Sequence, residues 1–359
     1  MKIESIRARP VTRPVRPDLA IVSAAGSHPV SNFAMVEVVG EGGAAGIGEA
    51  TVMPTWSGES QQSVIHAVTE ILAPALVGSE ASAISAAADV MDRVLFANPF
   101  TKAAVEMALL DLTGKAAGLP AAALLGGRRR TGPVRLKFSI GAFPPAEAAR
   151  VARHAASIGL TAVKVKVGLD LTTDLARVEA VRRELGPEFP VGVDANGGWT
   201  EAETIAAIPV LEKLGVIALE QPLRRGDFRG AARIRRRTRI PVMLDESIFT
   251  VEDALEAVRN DACDLISIYP GKNGGILRSL AIANIAAAAG LECVIGSNLE
   301  MEPATAAMLT LASVVPTLSE SVPHDIIGPL YYDGAPRGIR YESGCAWIPE
   351  GPGLGLEND

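Results

Sequence analysis

The chain has 359 residues, 48% of them apolar and 21% charged, with a formal net charge of −7. Such a chain can bury a large core in about two domains, which excludes intrinsic disorder. The negative balance argues against a nucleic acid or an anionic membrane surface as partner. The basic run Arg233-Ile234-Arg235-Arg236-Arg237 is short and interrupted, as on a solvated helix face. Cys263, Cys293 and Cys345 form no C-x-x-C pair, which fits reduced thiols and gives no zinc site. No apolar signal core follows Met1-Lys2-Ile3-Glu4, and no run of eighteen apolar residues occurs. The expectation is a soluble cytoplasmic protein.

Taken in order, Lys2–Val15 and Phe33–Gly40 have strand-like patterning. Glu41-Gly42-Gly43 is a turn before the strand around Gly46–Ala50. The stretch from Arg16 to Ser31 reads as a long loop, a type that is commonly functional. Helical patterning runs from about Ser60 to Gly118-Leu119-Pro120, where Gly and Pro stop it. From Val134 short apolar strands alternate with helix-length segments: Val134–Ile140, Ala162–Val167, Pro190–Val193, Val216–Leu219, Pro241–Leu244, Leu265–Ile268 and Cys293–Ile295. That alternation predicts an α/β fold of parallel units. A (β/α)7–8 TIM-like barrel is favoured over an open dinucleotide-binding sheet, because no G-x-G-x-x-G follows the first strand.

The strand Ala162–Val167 places Lys164 and Lys166 on one face, where two ammonium groups repel. Three following strands each end in an acid: Asp194, Glu220 and Asp245, about one β/α unit apart. In a barrel the C-terminal strand ends line one mouth. For a single acid, helix N-capping is an equal alternative; three in register behind a Lys-x-Lys strand make it weak. Three converging carboxylates call for a cation, and hard oxygen donors without His or Cys point to Mg²⁺ or Mn²⁺. Such a site holds a small carboxylate substrate and stabilises the enediolate left by loss of its α-proton. Lys166 is then the base, with Lys164 beside it lowering its pKa and helping to hold the carboxylate.

Lys164-x-Lys166, Asp194-x-Asn196-x-x-Trp199, Glu220-Gln221-Pro222 and Asp245-Glu246-Ser247, in this order, resemble the enolase superfamily, in its muconate-lactonizing (mandelate racemase/muconate lactonizing enzyme) subgroup. Ala108–Asp111, Leu124–Gly127, Lys272-x-Gly274-Gly275 and Ile327–Leu330 extend the resemblance over nearly the whole chain. It implies a Lys base with Mg²⁺ and an enediolate, with Asp194, Glu220 and Asp245 as metal ligands. It also implies an N-terminal α+β capping domain (1–125), a barrel (126–327) and a tail (328–359) that returns to the cap, with loops 21–31 and 54–60 closing over the mouth. Homo-oligomerisation is expected by the same analogy. The chain departs from the pattern at the sixth strand, where a second catalytic lysine is replaced by Tyr269. Lys272 matches a structural lysine, and Pro270-Gly271 leaves open its turning inward. Without opposed bases, β-elimination or cycloisomerisation is favoured over racemisation, with Tyr269 a possible acid.

Asn196, Asn298, Glu300, Trp56 and His28 are the candidate substrate contacts, while His324 reads as a surface or packing residue. The alternatives are a racemase or epimerase of the same family, a Schiff-base aldolase using either lysine, and a non-catalytic acid-binding homologue.

Overall fold

Strand β1 (Ile3–Pro14) begins a chain that the computed structural model describes from residue 1 to 356; the last three residues of the predicted tail lie outside the described residues. β2 (Ile21–Ser23) and β3 (Gly26–His28) pair as a small hairpin inside the stretch read as a loop. Its turn, Ala24-Ala25, carries none of the Asn or Asp that mark hairpins in sequence. β4 (Val30–Gly40) and β5 (Ala45–Val52) complete an antiparallel sheet in the order β1-β4-β5. Helix Pro99–Ala117 is buried along almost its whole length, packing on β5 and β4 and on the short helix Pro270–Asn273. Apolar residues on every face are what a helix between two layers needs. Gly46 and Gly48 permit the close approach, since a Cβ at either would collide with the backbone of Leu112, Ala108 or Ala104.

After β6 (Val134–Arg135), the parallel strands β7 (Phe138–Ile140), β8 (Val163–Lys166), β9 (Val191–Asp194), β10 (Val216–Glu220), β11 (Val242–Leu244), β12 (Leu265–Ile268) and β13 (Glu292–Ile295) lie side by side in chain order. These are continuous apolar runs because both faces are covered, one by helices and the other by the barrel interior. The curled sheet is bridged between its two edges by residues 317–325. Cys293 donates to the Thr317 carbonyl at 2.7 Å, Asp325 to that of Ile295 at 2.9 Å, and Lys137 to that of His324 at 2.9 Å. This segment occupies the eighth position without being a regular strand.

β14 (Tyr341–Glu342) and β15 (Cys345–Ala346) form a second antiparallel sheet with β6. Beyond them the chain returns to the cap, where Gly353 and Leu119 pair and the Leu354 amide donates to Asp111. Among the described residues no helix is long and apolar enough to cross a membrane.

Candidate active site

Side-chain alternation in β8 sends Lys164 and Lys166 to the barrel interior, and the sheet register sets them against the acids. Lys166 pairs with Asp194 across β8–β9, and Asp194 with Glu220 across β9–β10. Asp245 lies just beyond β11. All five line one cavity of about 70 Å³ under the cap, with Glu246, Asn196 and Ser139 beside them and His28, Trp56 and Asn298 among the remaining walls. A larger groove runs along β1, past Arg7, Arg9 and Met35, and holds none of these lysines or acids.

Each predicted acid is held by a lysine. Lys166 Nζ is 2.5 Å from Asp194 Oδ2, and Lys272 Nζ is 2.6 Å from Asp245 Oδ1. Lys164 Nζ meets Glu220 at 2.9 Å, Asp325 at 3.1 Å and Asp194 at 3.4 Å. Burial acts to lower the Lys164 pKa, but Asp325, Glu220 and Asp194 outweigh it and hold the ammonium well above the ordinary lysine range. Burial and the Asp194 charge push Glu220 upward, while Lys164 pulls it back. Burial and Asp245 likewise raise Glu246.

Among the described residues, no group of three or more His, Cys, Asp or Glu side chains stands around one point as a metal cluster. The acids are turned onto their lysines instead. Their chemistry nonetheless fits a hard divalent cation: three carboxylates end adjacent strands, and two further buried oxygens beside them, Asn196 Oδ1 and Glu246 Oε2, accept from no donor. An oxygen-rich, electron-rich wall of this kind suits Mg²⁺ better than zinc.

The other predicted residues divide into two groups. Trp56 lines the cavity and stacks on Tyr269, with centroids 5.7 Å apart and planes within 10°. His28 also lines it, hydrogen-bonded to Ser31 Oγ at 2.6 Å, and Asn298 donates to the Thr51 carbonyl of the cap at 3.2 Å. Tyr269, Lys272 and Glu300 are buried behind the lining. Tyr269 lies beneath Trp56 and its hydroxyl has no partner. Lys272 does not line the cavity, and three acceptors, Asp245 Oδ1 and the Asp245 and Ser267 carbonyls, take up its ammonium. Glu300 braces its own loop by accepting from Ser297 Oγ and the Asn298 amide. His324 is buried rather than at the surface, and its Nδ1 accepts from the Ile295 amide.

Sequence reasoning missed Lys137, Ser139 and Asp325. Asp325, on the bridging segment, meets Lys137 at 2.8 Å and accepts from Ser139 Oγ at 3.1 Å. The same alternation argument that found Lys164 and Lys166 applies to Arg135-x-Lys137-x-Ser139. A second buried pair fixes the end of β8. Arg177 donates to the Lys166 carbonyl at 3.0 Å and to Asp174 at 2.6 Å. Asp174 in turn accepts from the Gly168 and Leu169 amides and from Trp199 Nε1. Gly168, at φ +97°, tolerates no side chain, because a Cβ there would overlap the Ala195 carbonyl.

Residues 4–126 match the family model described as mandelate racemase/muconate lactonizing enzyme, N-terminal domain, and residues 146–359 match the model described as enolase C-terminal domain-like. The L-Ala-D/L-Glu epimerase of Bacillus subtilis (strain 168) is 33% identical over 99% of this chain and 96% of its own length. The chloromuconate cycloisomerase of Cupriavidus pinatubonensis is 36% identical over 89% of this chain and 87% of its own. The crystal structure of a dipeptide epimerase from Enterococcus faecalis, complexed with Mg and the dipeptide L-Leu-L-Tyr, superposes with a TM-score of 0.93 at 30% identity, covering 100% of both chains. The curled seven-stranded sheet, the β-rich cap and these matches together establish that the chain belongs to the mandelate racemase/muconate lactonizing enzyme family of the enolase superfamily.

Proposed function

We propose that this protein is a Mg²⁺-dependent lyase or isomerase that removes the α-proton of a small carboxylic acid from one face, with Lys166 as the base. The reading rests on one observation: Lys166 lines the cavity, and among the described residues no lysine lines it from β12, the strand opposite. β8 and β12 are four positions apart in a ring of seven strands and one bridging segment, which is half the circumference. The residue that ends β12 is Tyr269, buried under Trp56.

Asp194, Glu220 and Asp245 would hold the divalent cation. When bound, it supplies Lewis-acid stabilisation of the charge that develops on the substrate carboxylate. Lys164, kept as an ammonium by three carboxylates, attracts the same carboxylate and orients it. Lys166 Nζ takes the α-proton, and for a leaving group on the same face it can return that proton to it, giving syn elimination. Run in the addition sense, the Lys166 ammonium gives its proton to the α-carbon once an internal oxygen has added to a conjugated double bond, giving ring closure. Trp56 and the β2–β3 hairpin exclude water from above. The family's epimerases share the scaffold, but a two-base racemisation has no partner for Lys166 here. A Schiff-base reaction at Lys164 is disfavoured, because an ammonium has no lone pair to attack a carbonyl.

The test is α-hydrogen exchange of candidate acids in D₂O with Mg²⁺. Exchange is expected to stop with EDTA, and Lys166→Ala to lower its rate by about 10²- to 10⁴-fold, the usual contribution of a positioned base. Exchange that survives in Lys166→Ala removes Lys166 as the base. Equal formation of both enantiomers from a single-enantiomer substrate would instead favour a racemase.

A further inference from the structure

The cavity is electrically divided. Among the described residues, every charged side chain that lines it, Lys164, Lys166, Asp194, Glu220, Asp245 and Glu246, comes from β8 to β11 and the residues just after them. The rest of the lining, from the cap and from residues 297–299 and 327, is uncharged: Met53, Trp56, Leu299 and Ile327 are apolar, and Ser23 and Asn298 are neutral. His28 adds no cation, since burial takes its pKa down to about 4 and its ring is bonded to Ser31. A guanidinium is present nearby in sequence, but Arg225 stacks over Phe249 at 4.0 Å and does not line the cavity. Asp325, also buried in the barrel interior, is taken up by Lys137 and Lys164.

A second charge on a ligand, remote from its reacting carboxylate, would therefore be buried opposite nothing. Leaving a buried charge unpaired is among the most costly defects in a binding site. Glu246 Oε2 is unpartnered but stands on the charged wall, so it can meet only a group close to the reacting carboxylate.

We infer that the substrate is a monocarboxylate whose remaining portion is uncharged, with its carboxylate on the lysine-and-acid wall and its tail against Met53, Trp56 and Leu299. The inference rests on the proton-abstraction reading of the same site and narrows it. The dipeptide and muconate named for relatives carry a second charge, so this chain would differ from them in what it accepts.

Matched pairs of probes isolate the tail charge: N-acetyl-leucine against N-succinyl-leucine, and N-acetyl-Ala-Leu against Ala-Leu. Dissociation constants would be measured by calorimetry on the wild-type protein with Mg²⁺, and α-hydrogen exchange followed by NMR in D₂O. In each pair the neutral-tailed member is expected to bind at least about 100-fold tighter, the scale set by an unpaired buried charge. Met53→Arg, which adds a cation to the neutral wall, is expected to improve N-succinyl-leucine relative to N-acetyl-leucine by about 10-fold or more. The inference is overturned if a charged-tail member binds as tightly as its neutral partner, if no neutral-tailed probe binds, or if Met53→Arg leaves the ratio unchanged. Binding of neutral-tailed acids with no exchange of any of them leaves the specificity intact and instead defeats the proton-abstraction reading.

Discussion

Lys164 and Lys166 are two residues apart and share a strand face, yet their surroundings give them different work. Lys164 is enclosed by three carboxylates, whereas Lys166 contacts one and faces the cavity. The sequence reading has Lys164 lowering its neighbour's pKa and helping to hold the substrate carboxylate. The structure surrounds it with Glu220, Asp325 and Asp194, which keep it an ammonium. Tyr269 shows the complementary case of a candidate acid without a route to the cavity. Its hydroxyl is buried without a partner, an arrangement that costs about 1–3 kcal/mol. Tyr269→Phe should therefore leave the exchange rate within about twofold and raise stability by about 1 kcal/mol in urea unfolding. A fall in kcat of ten-fold or more, with KM unchanged, would restore the hydroxyl as the acid.

Strand β8 owes its position to residues outside it. The Asp174–Arg177 pair, both side chains at most 3% exposed, ties the β8 end to the loop after β7 and to Trp199 after β9. Asp174→Asn strands a buried guanidinium and should cost about 3–5 kcal/mol in denaturant unfolding. At saturating substrate it should lower the proton-abstraction rate more than it changes KM, because Lys166 loses its alignment. Equal kcat in variant and wild type would limit the pair to stability alone. The barrel strands were legible because apolar runs bounded by helix-length segments follow from packing on both faces. Residues 317–325 were not, since Thr317-Leu318-Ser319-Glu320-Ser321-Val322-Pro323 has neither the apolar run nor a free amide at Pro323. With that segment went Asp325. The metal-ligand candidates and both strand lysines were legible because chain order and barrel register coincide. Glu246 was quoted only as part of its motif, without its unpartnered oxygen.

The cap and barrel are joined by buried carboxylates of the cap that accept from the N-termini of barrel helices. Glu106 on helix Pro99–Ala117 accepts from the Ile276 and Leu277 amides, and Glu49 on β5 accepts from the Met301 and Ala304 amides. Burial pushes both carboxyls up to about 7. Each therefore binds its proton more tightly in the folded protein than in the unfolded chain. Their contribution is at its fullest below the unfolded value near 4.5 and is lost as pH rises to about 7. His28 and His324, buried and lowered, oppose this by favouring the folded state as pH rises towards 6.5. Glu106→Gln separates the effects. Its Tm relative to wild type should climb from pH 5 to about pH 7 and level off above that, and a constant difference would show that Glu106 does not titrate in this way. Because helix Pro99–Ala117 belongs to both layers, unfolding should follow one transition at every pH.

The stack of Trp56 on Tyr269 gives the molecule an optical reporter. The chain has three tryptophans, and only Trp56 holds its ring face to face with a residue of the opposite domain. Lifting the cap separates those rings and wets the indole, shifting its emission to the red. The arrival of a ligand can then be timed directly, from the light the protein itself emits, without a label and before any product forms.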